Sequence, residues 1–269
     1  MLRCGPALVE SVGDGGWVRT PHFLVHRSGE NLTVRHGFTA GELNDDLTGL
    51  IVAELDDTGI LRGRDEFELV FTGVVRSTVS GATAAWATFY RNSLRRLEHG
   101  VAKFAPVHAH AHELVAGPRV IDLGSCFGFF PLRLAATGFN VTATDLSAPT
   151  MRLLDRVSGA LGIPVRTIDC DAADVPLPDM AADTVTALHL IEHLDPDATE
   201  AVLHEALGLA RRRVIVAVPF EDEPRACYGH IQRFDLPTLA RLGEKVTAAH
   251  PGVRANVHEF HGGWLVFER

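Results

Sequence analysis

Cysteine is scarce in this chain: four residues in 269, at Cys4, Cys126, Cys170 and Cys227, with no C-x-x-C pair. That scatter excludes a disulfide framework and a zinc knuckle, and it fits a reducing cytosol. Long apolar runs are missing as well. No stretch approaches the roughly 18 residues of a membrane span, and the N-terminal residues lack a secretory signal's apolar region. Positive charge is in deficit, with 25 Lys and Arg against 34 Asp and Glu and a formal net charge of -9. Non-specific nucleic-acid affinity comes from clustered cations, so a general phosphate-backbone binder is not expected. The short run Arg211-Arg212-Arg213 precedes an apolar stretch and reads as the edge of that element. Internal repeats and disordered linkers are absent. With 46% hydrophobic and 22% charged residues, the chain can bury a sizeable core. The expectation is a cytoplasmic protein with neither nucleic acid nor membrane as partner, and of open oligomeric state.

The second half is where regular pattern appears. Short apolar strands are expected at Val120-Ile121, Phe139–Thr144, Val165–Ile168, Thr184–Ile191 and Val214–Val218. Between them come helices. Gly138 closes one, Ser147 caps the next, and Asp195-Pro196 opens a third with proline in its first turn. Asp235, followed by Pro237, starts another. Val253–Phe260 and Trp264–Phe267 flank Gly262-Gly263 as a closing hairpin. Apolar strands alternating with helices predict a doubly wound α/β fold, Rossmann-like, its sheet mostly parallel with an antiparallel last strand. Ligands of such sheets bind at the carboxyl ends of the strands.

The first 115 residues read differently, as an α+β accessory region and a possible substrate-side cap; residues 116–269 form the main domain. Ser28-Gly29-Glu30-Asn31 is a hairpin turn. Thr39-Ala40-Gly41-Glu42 has the form of a capping box, with a helix to about Leu55. Phe67–Val75 is expected as a strand. Ala82–Leu97 is amphipathic, its stripe of Trp86, Phe89, Tyr90, Leu94 and Leu97 serving either as core or as a pocket wall.

One loop carries chemistry. In IDLGSCFGFF, Ile121 to Phe130, a strand ends in Asp122 and leads through Gly124, Ser125, Cys126 and Gly128 into a helix. Glycines there let backbone approach a ligand, and the helix start offers unpaired N–H groups. The spacing does not match the G-x-G-x-x-G of dinucleotide sites, and Asp122 would repel a pyrophosphate. It would suit a ligand with a cationic amino group. S-adenosylmethionine has one, and no phosphate.

From about Gly117 to Arg269 the chain resembles class I S-adenosylmethionine-dependent methyltransferases. VIDLGSCFGFF is similar to their first motif, although Cys126 stands where glycine is common and implies a different or strained turn. The resemblance implies that Asp145, ending FNVTATD and followed by Leu146, takes both ribose hydroxyls. It implies that Asp171, with Ala172, meets the adenine amino group, in preference to Asp169. It also implies that the His189–His193 part of DTVTALHLIEHL passes the methionine end of the cofactor. The first 115 residues contribute nothing to this likeness. The N-terminal part taken with the loop is similar to actinobacterial mycofactocin oligosaccharide methyltransferases, which implies a sugar hydroxyl as acceptor.

Fourteen histidines remain to be placed. On a helix, His108 and His112 share a face and His110 points away; a two-ligand metal site, an active-site lining and a solvated helix all stay open. His189-Leu190-Ile191-Glu192-His193 matches the inverted zinc-peptidase motif H-x-x-E-H. That motif needs a helix, and a β-like lead-in spoils the chelation, so no metal is assigned. Methyl transfer to a hydroxyl profits from a general base, and histidine titrates in the right range. His193 and His230 are the candidates for that base, while Glu192, Glu221 and Tyr228 are placed to bind acceptor hydroxyls. The reaction expected is O-methylation of a small molecule or sugar. A nicotinamide-dependent oxidoreductase and a non-catalytic cofactor-binding module are the rivals.

Overall fold

The computed structural model describes residues 2–6, 16–225 and 228–269; Cys227 lies outside them. Two compact units are present. One runs to Lys103 and includes Tyr228, and the other comprises Phe104–Arg225 and Gly229–Arg269. The compact units thus part at residue 103, whereas the sequence pattern suggested residue 115.

The first unit has a four-stranded sheet of β1 (Leu2–Pro6), β2 (Trp17–Arg19), β3 (Phe23–Ser28) and β4 (Asn31–His36), in the order β1-β4-β3-β2. β3 and β4 meet at the expected hairpin, where Ser28 pairs with Asn31 and Gly29 takes φ +59°. Glu42 accepts from both Thr39 N and Thr39 Oγ1, but that closed turn stands apart from a helix. Helix α1 (Asp46–Ile51) starts later and continues as a π-helical turn, Val52–Asp56.

The expected strand at Phe67–Val75 is instead part of helix α2 (Arg64–Thr78). Its β-branched residues favour a strand locally. Yet Phe67, Val70, Phe71, Val74 and Val75 are the buried ones, and that is helical spacing. Burying this stripe outweighs a propensity difference of a few tenths of a kcal/mol per residue. Helix α3 (Ala82–Glu98) supplies the facing surface, and Phe71 meets Phe89 edge-on at 5.6 Å. The aromatic stripe of α3 is therefore core: Phe89 and Tyr90 are fully buried.

The second unit opens with α4 (Ala105–Leu114) and then alternates. Its elements are β5 (Arg119–Leu123), α5 (Phe129–Ala136), β6 (Asn140–Asp145), α6 (Ala148–Leu161), β7 (Arg166–Asp169), β8 (Ala182–Leu188), α7 (Pro196–Leu209), β9 (Ala210–Val218), α8 (Leu236–Ala249), β10 (Arg254–Glu259) and β11 (Gly263–Glu268). The sheet order is β10-β11-β9-β8-β5-β6-β7. Pairing from β9 through to β7 is parallel, and β11 runs antiparallel to both its neighbours, as expected of the last strand.

Strand alternation builds two cores. Ile121, Leu123, Val214, Val216 and Val218 face one layer with Leu203, Leu207 and Val246 of α7 and α8. Val120, Ile215 and Ala217 face the other with Val107 of α4 and Phe130 and Leu134 of α5. Each such aliphatic side chain contributes about 1.5–3 kcal/mol on burial. Both faces are covered, so the strands read as apolar runs. The expected caps form: Ser147, Asp195 and Asp235 accept from the backbone N–H of Thr150, Ala198 and Thr238. One boundary differs. The run expected as a strand to Ile191 stops at Leu188, because His189 adopts φ +56° and breaks the ladder. A 3-10 turn, Ile191–His193, follows.

Candidate active site

The loop after β5 holds Gly124, Cys126 and Gly128 in the left-handed region, at φ +66°, +49° and +69°. A methyl group on Gly124 would sit 2.6 Å from Leu190 Cδ1, and one on Gly128 would sit 2.4 Å from Leu154 Cδ2. Both glycines are therefore required by conformation and by space. Cys126 has the conformation usually left to glycine. Its side chain is exposed, and its N–H donates to Asp145 Oδ2 at 2.8 Å, which holds the strained residue in place.

Asp122 lies beneath this loop, 4% exposed. Its Oδ1 accepts from Thr186 Oγ1 at 2.5 Å and its Oδ2 from Ser125 Oγ at 2.7 Å. Burial pushes its carboxyl up to about 6, against the two hydroxyl hydrogen bonds that favour the charged form. The sequence pattern turned this acid towards a ligand's amino group; here one oxygen meets Ser125 of the loop and the other Thr186 of β8. Thr144 Oγ1 donates to the Asp122 carbonyl at 3.2 Å, and Ser125 N to the Thr144 carbonyl at 2.8 Å. Thr144 and Thr186 were not singled out from the sequence. The available signal was a threonine one or two residues before the end of its strand.

Asp145 ends β6. Besides Cys126 N, it accepts from Ser147 N through Oδ1 at 2.9 Å. Each oxygen keeps a further lone pair, and a carboxylate so fixed presents two acceptor sites to a vicinal diol. Leu146 beside it is 80% exposed, an apolar side chain at the rim that a flat heterocycle would cover. Asp171 and Ala172 follow β7; Asp171 is exposed and closes a turn by accepting from Ala173 N at 2.9 Å. Cys170 N donates to the Asp145 carbonyl, which ties the two acids' segments together. The glycine cradle, the fixed Asp145 and exposed Leu146 fit an adenosyl group bound along this rim.

Across β8 the histidines divide. His189 Nδ1 meets Glu192 Oε1 at 3.1 Å, while its ring meets that of Phe104 edge-on at 5.1 Å between centroids. His193 and His230 meet edge-on at 4.8 Å between ring centroids. His193 Nδ1 faces the Gly229 carbonyl at 3.2 Å, and His230 Nδ1 faces Glu221 Oε2 at 2.7 Å. The backbone fixes this meeting: Ile231 N and Gln232 N both donate to the Glu192 carbonyl. Gln232, unforeseen from the sequence, also donates from its side chain to Thr199 Oγ1 at 2.9 Å. The three histidines of α4 go to different places. His108 packs against Phe130, its charged form disfavoured by burial and by Arg133 and His189. His110 contacts His258 at 2.8 Å, and His112 lies on Phe139. They do not share a site.

Residues 121–218 match the family model described as a methyltransferase domain. A curated relative, demethylmenaquinone methyltransferase from Thermus thermophilus, is 30% identical over 121 residues, or 44% of this chain. The match covers 54% of that protein, so the chain spans about half the length of this relative. A crystal structure of an O-methyltransferase family protein from Burkholderia thailandensis has a TM-score of 0.50 at 17% identity, covering 70% of this chain and 60% of that one. A protein from Pyrococcus horikoshii has a TM-score of 0.50 at 14% identity, covering 62% and 89%. Both share the fold. The second unit thus carries the stretch that matches the methyltransferase-domain model, on a sheet of the same fold as these two proteins.

Proposed function

We propose that the chain methylates a hydroxyl group of a small molecule or saccharide, with S-adenosylmethionine as donor. Bound, the donor supplies a methyl group on a positively charged sulfur. Asp145 would hold the ribose hydroxyls, Asp171 the adenine amino group, and the loop from Gly124 to Gly128 the neighbouring backbone contacts. The observation that carries the reading is Asp145. Its carboxylate is oriented by Cys126 N and Ser147 N at the strand end, on a loop underlain by a second acid. An acid-rich rim of this kind opposes a pyrophosphate and accepts a neutral diol.

The choice of a hydroxyl acceptor rests on the His193–His230 cluster after β8 and β9, with Glu221 holding His230. A hydroxyl is a weak nucleophile until its proton leaves, and this cluster stands where that loss would be assisted. The oligosaccharide of mycofactocin is the acceptor suggested by the N-terminal likeness, through a glucose hydroxyl. The Thermus relative is named for a quinone-type acceptor, and a demethylquinone belongs in the same screen.

The test is incubation of the purified chain with labelled S-adenosylmethionine and glucosides, oligosaccharides and demethylquinones. A hydroxyl compound gaining one methyl group is expected. His230→Ala should slow that transfer and leave cofactor affinity, measured by calorimetry, unchanged. Failure to bind S-adenosylmethionine, or binding of a nicotinamide dinucleotide instead, would overturn the reading.

A further inference from the structure

Glu192 sits in the 3-10 turn after β8 with its side chain 1% exposed. Its Oε1 meets His189, but its Oε2 is buried with no hydrogen-bond partner among the described residues. A buried carboxylate oxygen in that state is costly unless a cation or a donor completes it. Two imidazoles stand beside it. One ligand atom from each of Glu192, His193 and His230 lies within 4.8 Å of the other two.

The surroundings of the rings suit metal binding. His193 Nδ1 faces the Gly229 carbonyl and His230 Nδ1 faces Glu221 Oε2, so each neutral ring carries its proton on Nδ1. The lone pair then belongs to Nε2, and imidazole ligands are fixed in this way by an outer carbonyl or carboxylate. The three residues come from two segments, one after β8 and one after β9, pinned together by Ile231 N and Gln232 N on the Glu192 carbonyl. Around an ion with bonds of about 2.1 Å, tetrahedral ligand atoms are roughly 3.4 Å apart. Binding would draw the ligand atoms, now within 4.8 Å of one another, to that span.

We propose that Glu192, His193 and His230 bind a divalent transition-metal ion, and that its open positions receive the oxygen of the acceptor. Two imidazoles and one carboxylate favour Zn2+, Co2+, Fe2+ or Ni2+ over the oxygen-seeking Mg2+ and Ca2+. Three protein ligands leave coordination positions vacant, as in catalytic rather than structural sites. A hydroxyl placed there loses its proton to solvent water more readily, because the ion stabilises the oxygen's negative charge. The H-x-x-E-H match is thereby redistributed. His189 orients Glu192, and His230, distant in sequence, replaces it as a ligand. The acceptor role rests on the methyl-transfer reading, whereas the metal site does not.

The two are tested separately. The full chain is stripped with a chelator, dialysed, and titrated with Co2+ by visible absorption and with Zn2+ by calorimetry. One equivalent of each is expected. Glu192→Gln and His230→Ala should each weaken binding at least tenfold, and Glu221→Gln about tenfold through the lost orientation of His230. Far-ultraviolet circular dichroism checks each fold; should Glu192→Gln not fold, His230→Ala decides. Absence of stoichiometric uptake, or equal uptake by a variant lacking both His193 and His230, overturns the site whatever the cofactor measurement shows. Methyl transfer that is unaffected by stripping and unaffected by added Zn2+ overturns the acceptor role.

Discussion

Replacing Gly128 by alanine probes how tightly the loop after β5 is built. Gly128 stands before α5 at φ +69°, ψ +26°, its N–H donating to the Ser125 carbonyl at 2.7 Å. Alanine there meets two penalties. The left-handed conformation costs about 1–2 kcal/mol for a residue with a Cβ. The new methyl also falls 2.4 and 2.7 Å from the two terminal carbons of Leu154, which is completely buried and has no open space to turn into. Overpacking of that kind costs about 1–3 kcal/mol. The stiffer unfolded chain returns about 0.4–1 kcal/mol. The net loss is about 2–4 kcal/mol. Gly138→Ala is the control, since Gly138 is also left-handed, at φ +97°, but a Cβ there meets nothing within 4 Å. Its loss should be limited to strain, about 1 kcal/mol or less. Urea unfolding followed by circular dichroism measures both. Equal destabilisation of the two variants would refute the placement of Leu154 under the loop, because only the packing cost separates them.

Cys126→Gly should act in the opposite direction, relieving strain of about 1–2 kcal/mol against a backbone-entropy loss of about 0.5–1 kcal/mol. A small rise in the urea midpoint is expected, and a fall would show that the cysteine side chain supports the loop. Asp145→Asn should weaken S-adenosylmethionine binding by about 1.5–3 kcal/mol for one charge-assisted bond. That is a roughly 10- to 150-fold rise in Kd by calorimetry, and unchanged affinity would remove Asp145 from the cofactor site. For Asp122, a folded-state pKa of about 6 lies above the ordinary 3.8. The folded state then holds the extra proton between those values, so the penalty is absent below pH 3.8, grows as pH rises, and is complete above about 6. Raising the pH across that window should cost about 3 kcal/mol through this group. Asp122→Asn should flatten that part of the urea-midpoint profile, and an unaltered profile would contradict the burial.

Much of the second unit was legible because its local and tertiary signals agree. Glycine, serine and aspartate caps fall where apolar runs change period, and alternating strands and helices admit few sheet topologies. Phe67–Val75 misled because β-branched residues speak for strands locally, while the partner that rewards a helix, α3, lies elsewhere in the chain. The stretch from Thr184 to Ile191 misled at its end for a related reason. Its apolar residues continue past Leu188, but His189 turns the backbone, and only hydrogen bonds to distant residues reveal where it turns. His189 N donates to the Ala217 carbonyl at 2.8 Å, a partner 28 positions away.

The sequence by itself determined the doubly wound class, the glycine loop after β5 and the acids at the strand ends, since each depends on spacing within a short segment. Tertiary structure decided what those groups face. It buried Asp122 beneath the loop, between Ser125 and Thr186. It separated His108, His110 and His112, and it carried His230 back to Glu192 and His193. Contacts of that kind join segments whose separation no local pattern records, and they form only when burial of the whole sheet compensates the entropy of bringing the segments together.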